Sequence, residues 1–220
     1  MPAADTKTTI LDAAERLFAA TGFQATTMRA LTAAAGVNLA AVGYHFGGKE
    51  ELAMAVLARR IAPINAERRR RLDALAARPT TTAVVRAFLE PVFGIGDAGR
   101  GAPPPPDARF CGLFGRLLGE QPPFLRTFLA RQFRDLGQRF ARALRRSLPG
   151  LDEATAWWRL HFVAGAMAHV LQHAETLAHV TDGVCRVDEP GPLAEQLVAF
   201  AAAGLAAPPP SRRRVRRTRP

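Results

Sequence analysis

With 220 residues, 48% of them hydrophobic, and a formal net charge of +11, the chain has apolar material for a core of one domain or two and an excess charge that favours polyanionic partners. No apolar run reaches the ~18 residues of a membrane span, and "MPAADTKTTI" lacks the basic start and apolar stretch of a signal peptide. Cys111 and Cys185 are the only cysteines; two in a chain of this size read as reduced and incidental, which makes the cytoplasm the expected compartment.

The charge is unevenly placed. The tail "SRRRVRRTRP" has six arginines and no acid, and "RRIAPINAERRRRL" has six arginines against Glu67 alone. Residues 1–50 balance four basic residues (Lys7, Arg16, Arg29, Lys49) with four acids (Asp5, Asp12, Glu15, Glu50). Charge alone therefore assigns no partner to the first fifty residues.

Strand signals are scarce and helix formers dominate, so the expected fold class is all-α. Ile10, Ala14, Leu17 and Phe18 recur at helical spacing and predict a first helix over 8–21, stopped at Thr21-Gly22, with Phe23 as a hydrophobic plug. "TTMRALTAAAG" predicts a second, capped by Thr26 or Thr27 and ended by Gly36. Asn38 caps a third over 39–46. Gly47-Gly48 closes it, and Lys49 opens a longer fourth toward residue 76.

A helix, a tight glycine-containing turn and another helix form a helix-turn-helix pattern. On the third helix, Leu39, Val42 and Phe46 share an apolar face, and Ala40, Ala41, Tyr44 and His45 lie opposite. A recognition helix enters the major groove N-terminus first. Small side chains there admit the backbone to base edges, and alanine methyls can meet thymine methyls. Tyr44 and His45 can bond phosphates, and the start of the fourth helix aims N–H groups and Lys49 at another. An ordinary three-helix bundle with an exposed Tyr-His pair would show the same pattern.

"TILDAAERLFAATGFQATTMRALTAAAGVNLAAVGYHFGGKEEL" closely resembles the DNA-binding domain of TetR-family transcriptional regulators over residues 8–55. The resemblance implies a homodimer on a palindromic operator in double-stranded DNA, released when a small-molecule effector binds a larger C-terminal helical domain. Many family members have a tyrosine two residues before the histidine; here that position is Gly43. The resemblance places Thr27, Asn38, Leu39, Ala40, Ala41, Gly43, Tyr44, His45 and Lys49 at the DNA, with Thr27 capping its helix against a phosphate. The expected domains are 5–65 for DNA binding and 66–207 for ligand binding and dimerisation, followed by a disordered basic tail over 208–220.

Beyond the fourth helix, 80–95 predicts a helix with Val84, Val85, Phe88, Leu89, Val92 and Phe93 inward. "GIGDAGRGAPPPPDA" is a loop, since four prolines cannot continue a helix. Helices follow over 110–119 and 123–148, then a long one capped by Asp152 and a last one with Pro192 in its first turn. "WWRLHFVAGAMAHVL" and "VNLAAVGYHFGGKEEL" also look like the fatty-acid-responsive branch of the family, which implies an acyl ligand. Phe88, Phe93, Phe114, Phe124, Phe128, Trp157 and His161 are the candidate lining, with Arg109 and Arg116 as donors to a carboxylate and the proline loop as a lid. Plain core is the competing reading for each of them. Ala164, Gly165, Ala166 and Ala168, with the stripe Leu193, Leu197 and Phe200, suggest a four-helix bundle between subunits.

His169 and His173 have metal-pair spacing, but Glu175 and His179 point elsewhere, so no metal is expected. Nothing resembles a catalytic constellation or a phosphate-cradling loop, so neither an enzyme nor a cofactor is expected. Two alternatives stay open. One is an activator or an efflux-pump regulator responding to an aromatic or cationic drug; for a cation, Glu90, Asp107 and Glu120 are the candidate carboxylates. The other is an architectural DNA-binding protein whose tail gives sequence-independent affinity.

Overall fold

The computed structural model describes residues 3–96, 103–186 and 189–208. The greater part of the expected tail, 209–220, and the loop centre, 97–102, lie outside the described residues. Within them the fold is all-α, without strands. The helices are α1 (Ala3–Thr21), α2 (Met28–Ala35), α3 (Leu39–Phe46), α4 (Lys49–Asp73), α5 (Thr81–Leu89), α6 (Ala108–Glu120), α7 (Pro123–Ser147), α8 (Glu153–Val180) and α9 (Pro190–Ala206). A 3-10 turn, Glu90–Phe93, follows α5; Pro91 falls there, so the single helix expected over 80–95 tightens at its end.

The caps explain the boundaries. The side chains of Thr27, Asn38, Thr80, Asp107 and Asp152 accept the N–H of Ala30, Ala41, Ala83, Phe110 and Thr155 respectively. Gly36, at φ +64, ends α2, and its N–H and that of Val37 reach back to Ala33 and Thr32. Pro190 and Pro192 open α9, where a missing N–H costs nothing.

Two apolar clusters fill the interior. The first joins α1 to α4 with α6 and the N-terminal half of α7: Ile10, Phe18, Phe23, Leu31, Val42, Leu52 and Leu57 pack with Phe110, Leu113, Phe124 and Phe128. Phe23, the predicted plug, lies 5.6 Å from Phe18 and 4.8 Å from Phe124, so it joins the helix-turn-helix to α7. The second cluster brings α5, the C-terminal half of α7, α8 and α9 together around Phe140, Leu144, Leu160 and Leu197.

Between α1 and α4 lies a charged clamp. Glu15 sits on the apolar stripe of α1, beside Leu11, Ala14 and Phe18, and is 2% exposed. Its Oε1 accepts from Arg60 Nε at 3.0 Å and Nη2 at 2.7 Å, and its Oε2 accepts from Arg59. Arg59 also reaches Asp12 at 2.6 Å, and Arg60 reaches Asp107 at 3.1 Å, which brings the cap of α6 into the group. The bond to Glu15 pushes the Arg60 guanidinium above its ordinary value. Three residues further along α4, Pro63 leaves the Arg59 carbonyl without its usual helical donor.

Removing the carboxylate strands two guanidiniums. Glu15→Ala should lower stability by about 2–3 kcal/mol, short of the full cost of breaking a buried pair because both arginines are partly exposed. Denaturant midpoints of the two proteins measure this; equal midpoints would make the clamp energetically idle.

Candidate nucleic-acid interface

The helix-turn-helix presents one face of α3 to solvent. Tyr44 is 87% exposed and Leu39 61% exposed, and Ala40 and Gly43 are also exposed. Val42 is fully buried and Phe46 half-buried, and these two hold the helix on α1 and α4. Leu39 corrects the apolar-face expectation: it lies in the first turn, before the helix reaches its packing partners, so it projects outward beside Ala40 rather than into the core. Its position suits the groove-facing role instead.

The predicted polar groups divide by what their atoms already do. Thr27 Oγ1 accepts the Ala30 N–H at 3.1 Å and keeps its own hydrogen for an outside acceptor. Asn38 Oδ1 is used on the Ala41 N–H at 2.9 Å, which leaves its amide hydrogens. Tyr44 and His45 meet edge to face at 5.2 Å, so the two rings fix each other at the C-terminal end of the helix. Ala41 is half-buried and contributes mainly to seating α3.

Lys49 is tied down. Its ammonium lies 4.4 Å from the Phe23 ring centre and donates to the Gln24 carbonyl at 3.3 Å. Burial pulls its amine below the ordinary value, against the opposing attraction of Glu120. The lysine thus closes the turn between α1 and α2 at the start of α4. That turn is also braced from α6. Gly22 has φ +86, and a β-carbon there would lie 2.7 Å from Glu120 Oε1 and 3.2 Å from Arg116 Cδ.

The candidate effector residues do not line one cavity. Phe114, Phe124 and Phe128 pack with the DNA-binding helices in the first cluster, while Phe88 and Phe93 pack in the second. The reason is that α6 lies against α1 and α7 against α4 rather than around a pocket. Arg109 and Arg116 are exposed, and Arg116 reaches the Ala20 carbonyl at 3.4 Å instead of an interior site. Trp157 and His161 are on the outer side of α8; Trp157 lies over Gly137 of α7, where a β-carbon would come within 2.7 Å of its ring. The proline run does overhang a cleft of about 340 Å³, but Asp12, Arg59 and Arg60 share its wall with Pro63, Ile64 and Pro104–Pro106, so it holds charges and none of the candidate aromatic residues.

The sequence reading missed Glu15 and Arg68, although an acid on the apolar stripe of α1 was a signal for the first. No group of three metal-ligating side chains occurs among the described residues. No described helix is long and apolar enough to cross a membrane.

Two family models match the chain: "Bacterial regulatory proteins, tetR family" over residues 10–56, and "Tetracyclin repressor-like, C-terminal domain" over 86–204. The chain belongs to the TetR family of transcriptional regulators. No curated protein matches it. Among solved structures, a TetR-like transcriptional regulator from Rhodococcus sp. RHA1 superposes with a TM-score of 0.62 at 21% identity, covering 94% of this chain and 100% of the other. SmeT, the repressor of the Stenotrophomonas maltophilia multidrug efflux pump SmeDEF, gives 0.56 at 24%, covering 90% and 91%. The fatty acid degradation regulator FadR from Bacillus halodurans gives 0.59 at 15%, covering 91% and 94%. At these identities the likeness is one of fold.

Two substitutions test the interface, with a duplex selected from random sequence by the protein as the probe. Gly43 has no heavy atom within 4 Å of where a β-carbon would stand. Gly43→Ala should therefore stabilise the protein by about 0.5–1 kcal/mol while operator affinity falls several-fold, because the methyl meets only the DNA. A gain in melting temperature with undiminished operator affinity would take position 43 off the contact surface. Lys49→Ala should weaken specific and random DNA alike and lower the slope of log K against log salt by about one; an unchanged slope would leave Lys49 as an internal tie only.

Proposed function

We propose that the chain is a ligand-controlled repressor, a homodimer that holds a palindromic operator and is released by a small apolar effector. The observation that carries the reading is the exposed face of α3, where Leu39, Ala40, Gly43 and, beside its ring contact with His45, Tyr44 are open to solvent. Thr27, His45 and Lys49 flank it as groups for phosphates.

The coupling runs through α4. The helix begins at the DNA face with Lys49, is clamped to α1 by Arg59 and Arg60, loses one hydrogen bond at Pro63, and ends among the helices of the second cluster. An effector that parts those helices turns α4 about Pro63 and changes the spacing of the two recognition helices of a dimer. The α6 helix acts at the same place, since Asp107 meets Arg60 and Arg116 braces the turn at Gly22.

Dimerisation is assigned to α8 and α9. Phe162 and Phe200 are 62% and 72% exposed and border an apolar groove with Val163, Ala166, Ala201 and Gly204. Leu197, by contrast, is buried within its own subunit, so only Phe200 reports on the interface cleanly.

An apolar or anionic effector suits the chain better than a cationic drug. Glu90 is held by Arg71 and Arg86, Asp107 caps α6 and meets Arg60, and Glu120 is exposed; none is a buried carboxylate awaiting a cation. An acyl chain gains ~0.8 kcal/mol per buried methylene, so release should sharpen with chain length until the site is full.

Selection from random DNA should return a two-fold symmetric site, and Phe200→Arg should sediment as a monomer with operator affinity reduced at least tenfold, more than about 1.4 kcal/mol. Fatty acids of graded length should release the operator. Binding indifferent to sequence would favour an architectural role, and release by a flat aromatic cation but no fatty acid would replace the acyl reading with a drug-responsive one.

A further inference from the structure

Arg68 is a buried charge with no counter-charge beside it among the described residues. It projects from α4 into the junction of α4, α5 and α8 and is 3% exposed. Its Nε donates to the Phe88 carbonyl at 2.8 Å, one Nη to Asn65 Oδ1 at 3.2 Å, and the other to the Met167 sulfur at 3.4 Å. Its guanidinium lies 4.3 Å from the centre of the Phe88 ring.

The neighbouring acids are already taken. Glu67 is shared by Arg70 and Arg71, and Glu90 by Arg71 and Arg86. No carboxylate lies within 4.0 Å of Arg68 among the described residues. A guanidinium has five N–H donors. Three are used here, one of them on a weak sulfur acceptor, so two hydrogens are left without an acceptor. Burying a cation on neutral acceptors alone is costly. Burial pulls the Arg68 value down to about 9, so the group still carries its proton at neutral pH.

The arrangement around it is one that an entering anion could use. Met167 is unbranched and flexible, and the bond its sulfur accepts is the weakest of the three. Displacing it frees one Nη edge of the guanidinium, the edge that pairs with a carboxylate through two parallel bonds. Phe88 below and the apolar second cluster around would take the rest of such a molecule. Arg109 and Arg116, the donors expected from the sequence, are exposed and face elsewhere.

We propose that Arg68 is the anchor for the carboxylate of the effector, and that the effector is an apolar monocarboxylate whose hydrophobic body enters between α5, α7 and α8. This deepens the effector-controlled reading above and rests on it. Binding supplies the missing counter-charge on α4 itself, the helix that carries the DNA-facing end, so occupancy acts directly on the coupling element.

The test uses the full chain and two matched pairs of probes: dodecanoate with dodecanol, and naphthoate with naphthalenemethanol. Dissociation constants are measured near neutral pH, below micelle formation. The wild type should bind the acid of at least one pair about tenfold or more tightly than its alcohol, the low end for a charge-assisted hydrogen bond. Arg68→Met should bring that ratio to one with the alcohol's constant unchanged, which also shows that the variant is folded. Arg68→Lys, which keeps the charge but not the fork, should cut the ratio several-fold; it decides the matter if the methionine variant does not fold. Equal binding of acid and alcohol by the wild type would overturn the assignment while leaving an apolar effector standing, as would a full ratio in Arg68→Met or, where that fails to fold, in Arg68→Lys. Binding of none of the four probes would overturn both.

Discussion

A carboxylate in an apolar interior needs a cation beside it, and Glu15 has two from the same turn of another helix. This contact sets the angle between α1 and α4. Everything that faces DNA is mounted on that pair: α2 and α3 pack on α1 and α4, Phe23 seats in the turn that follows α1, and Lys49 closes the turn from the start of α4. The same arginines reach Asp12 and Asp107, so a shift of α6 would be felt at once where the two long helices cross. Because Glu15 is buried, opening the clamp leaves a carboxylate and two guanidiniums unpaired, so the contact holds the two helices as they stand.

Further along α4 the chemistry changes from paired to unpaired charge. Glu67, Arg70 and Arg71 form a paired network with Glu90 and Arg86 that extends to Glu195, and the hydrogen bond from Arg70 holds the Glu67 carboxyl down at about 2. Stability drawn from Glu67 is therefore present above the ordinary carboxylate range and is lost only as pH falls through that range toward its folded value. Arg68, one residue away, has no such partner. The contrast within four residues separates a structural network from a group whose electrostatics are incomplete.

Much of the DNA-binding half was legible from the sequence because its signals are local. Caps at Thr27 and Asn38, stops at Gly36 and Gly47, and the spacing of Ile10, Ala14 and Phe18 each depend on residues within one or two turns. The effector side was not legible in the same way. Phe114, Phe124 and Phe128 looked like a pocket wall because aromatic residues line pockets and cores alike, and only the packing of α6 onto α1 and of α7 onto α4 separates the two. In the sequence the run Arg68 to Arg71 reads only as concentrated positive charge, yet Arg68 and Arg71 turn inward and Arg70 closes on Glu67. Helical periodicity allows for this, but it does not say which of four consecutive arginines meets the core.

The exposed aromatic face of α8 and α9 has a consequence for gene dosage. A surface bearing Trp158, Phe162 and Phe200 is poorly hydrated on a lone chain, and the proposed dimer would cover it. Where association and operator binding are linked in this way, occupancy at low expression rises with the square of the amount of chain synthesised. Halving production would then leave only about a quarter of the previously occupied operators filled, a steepness obtained without any cooperative change inside the subunit.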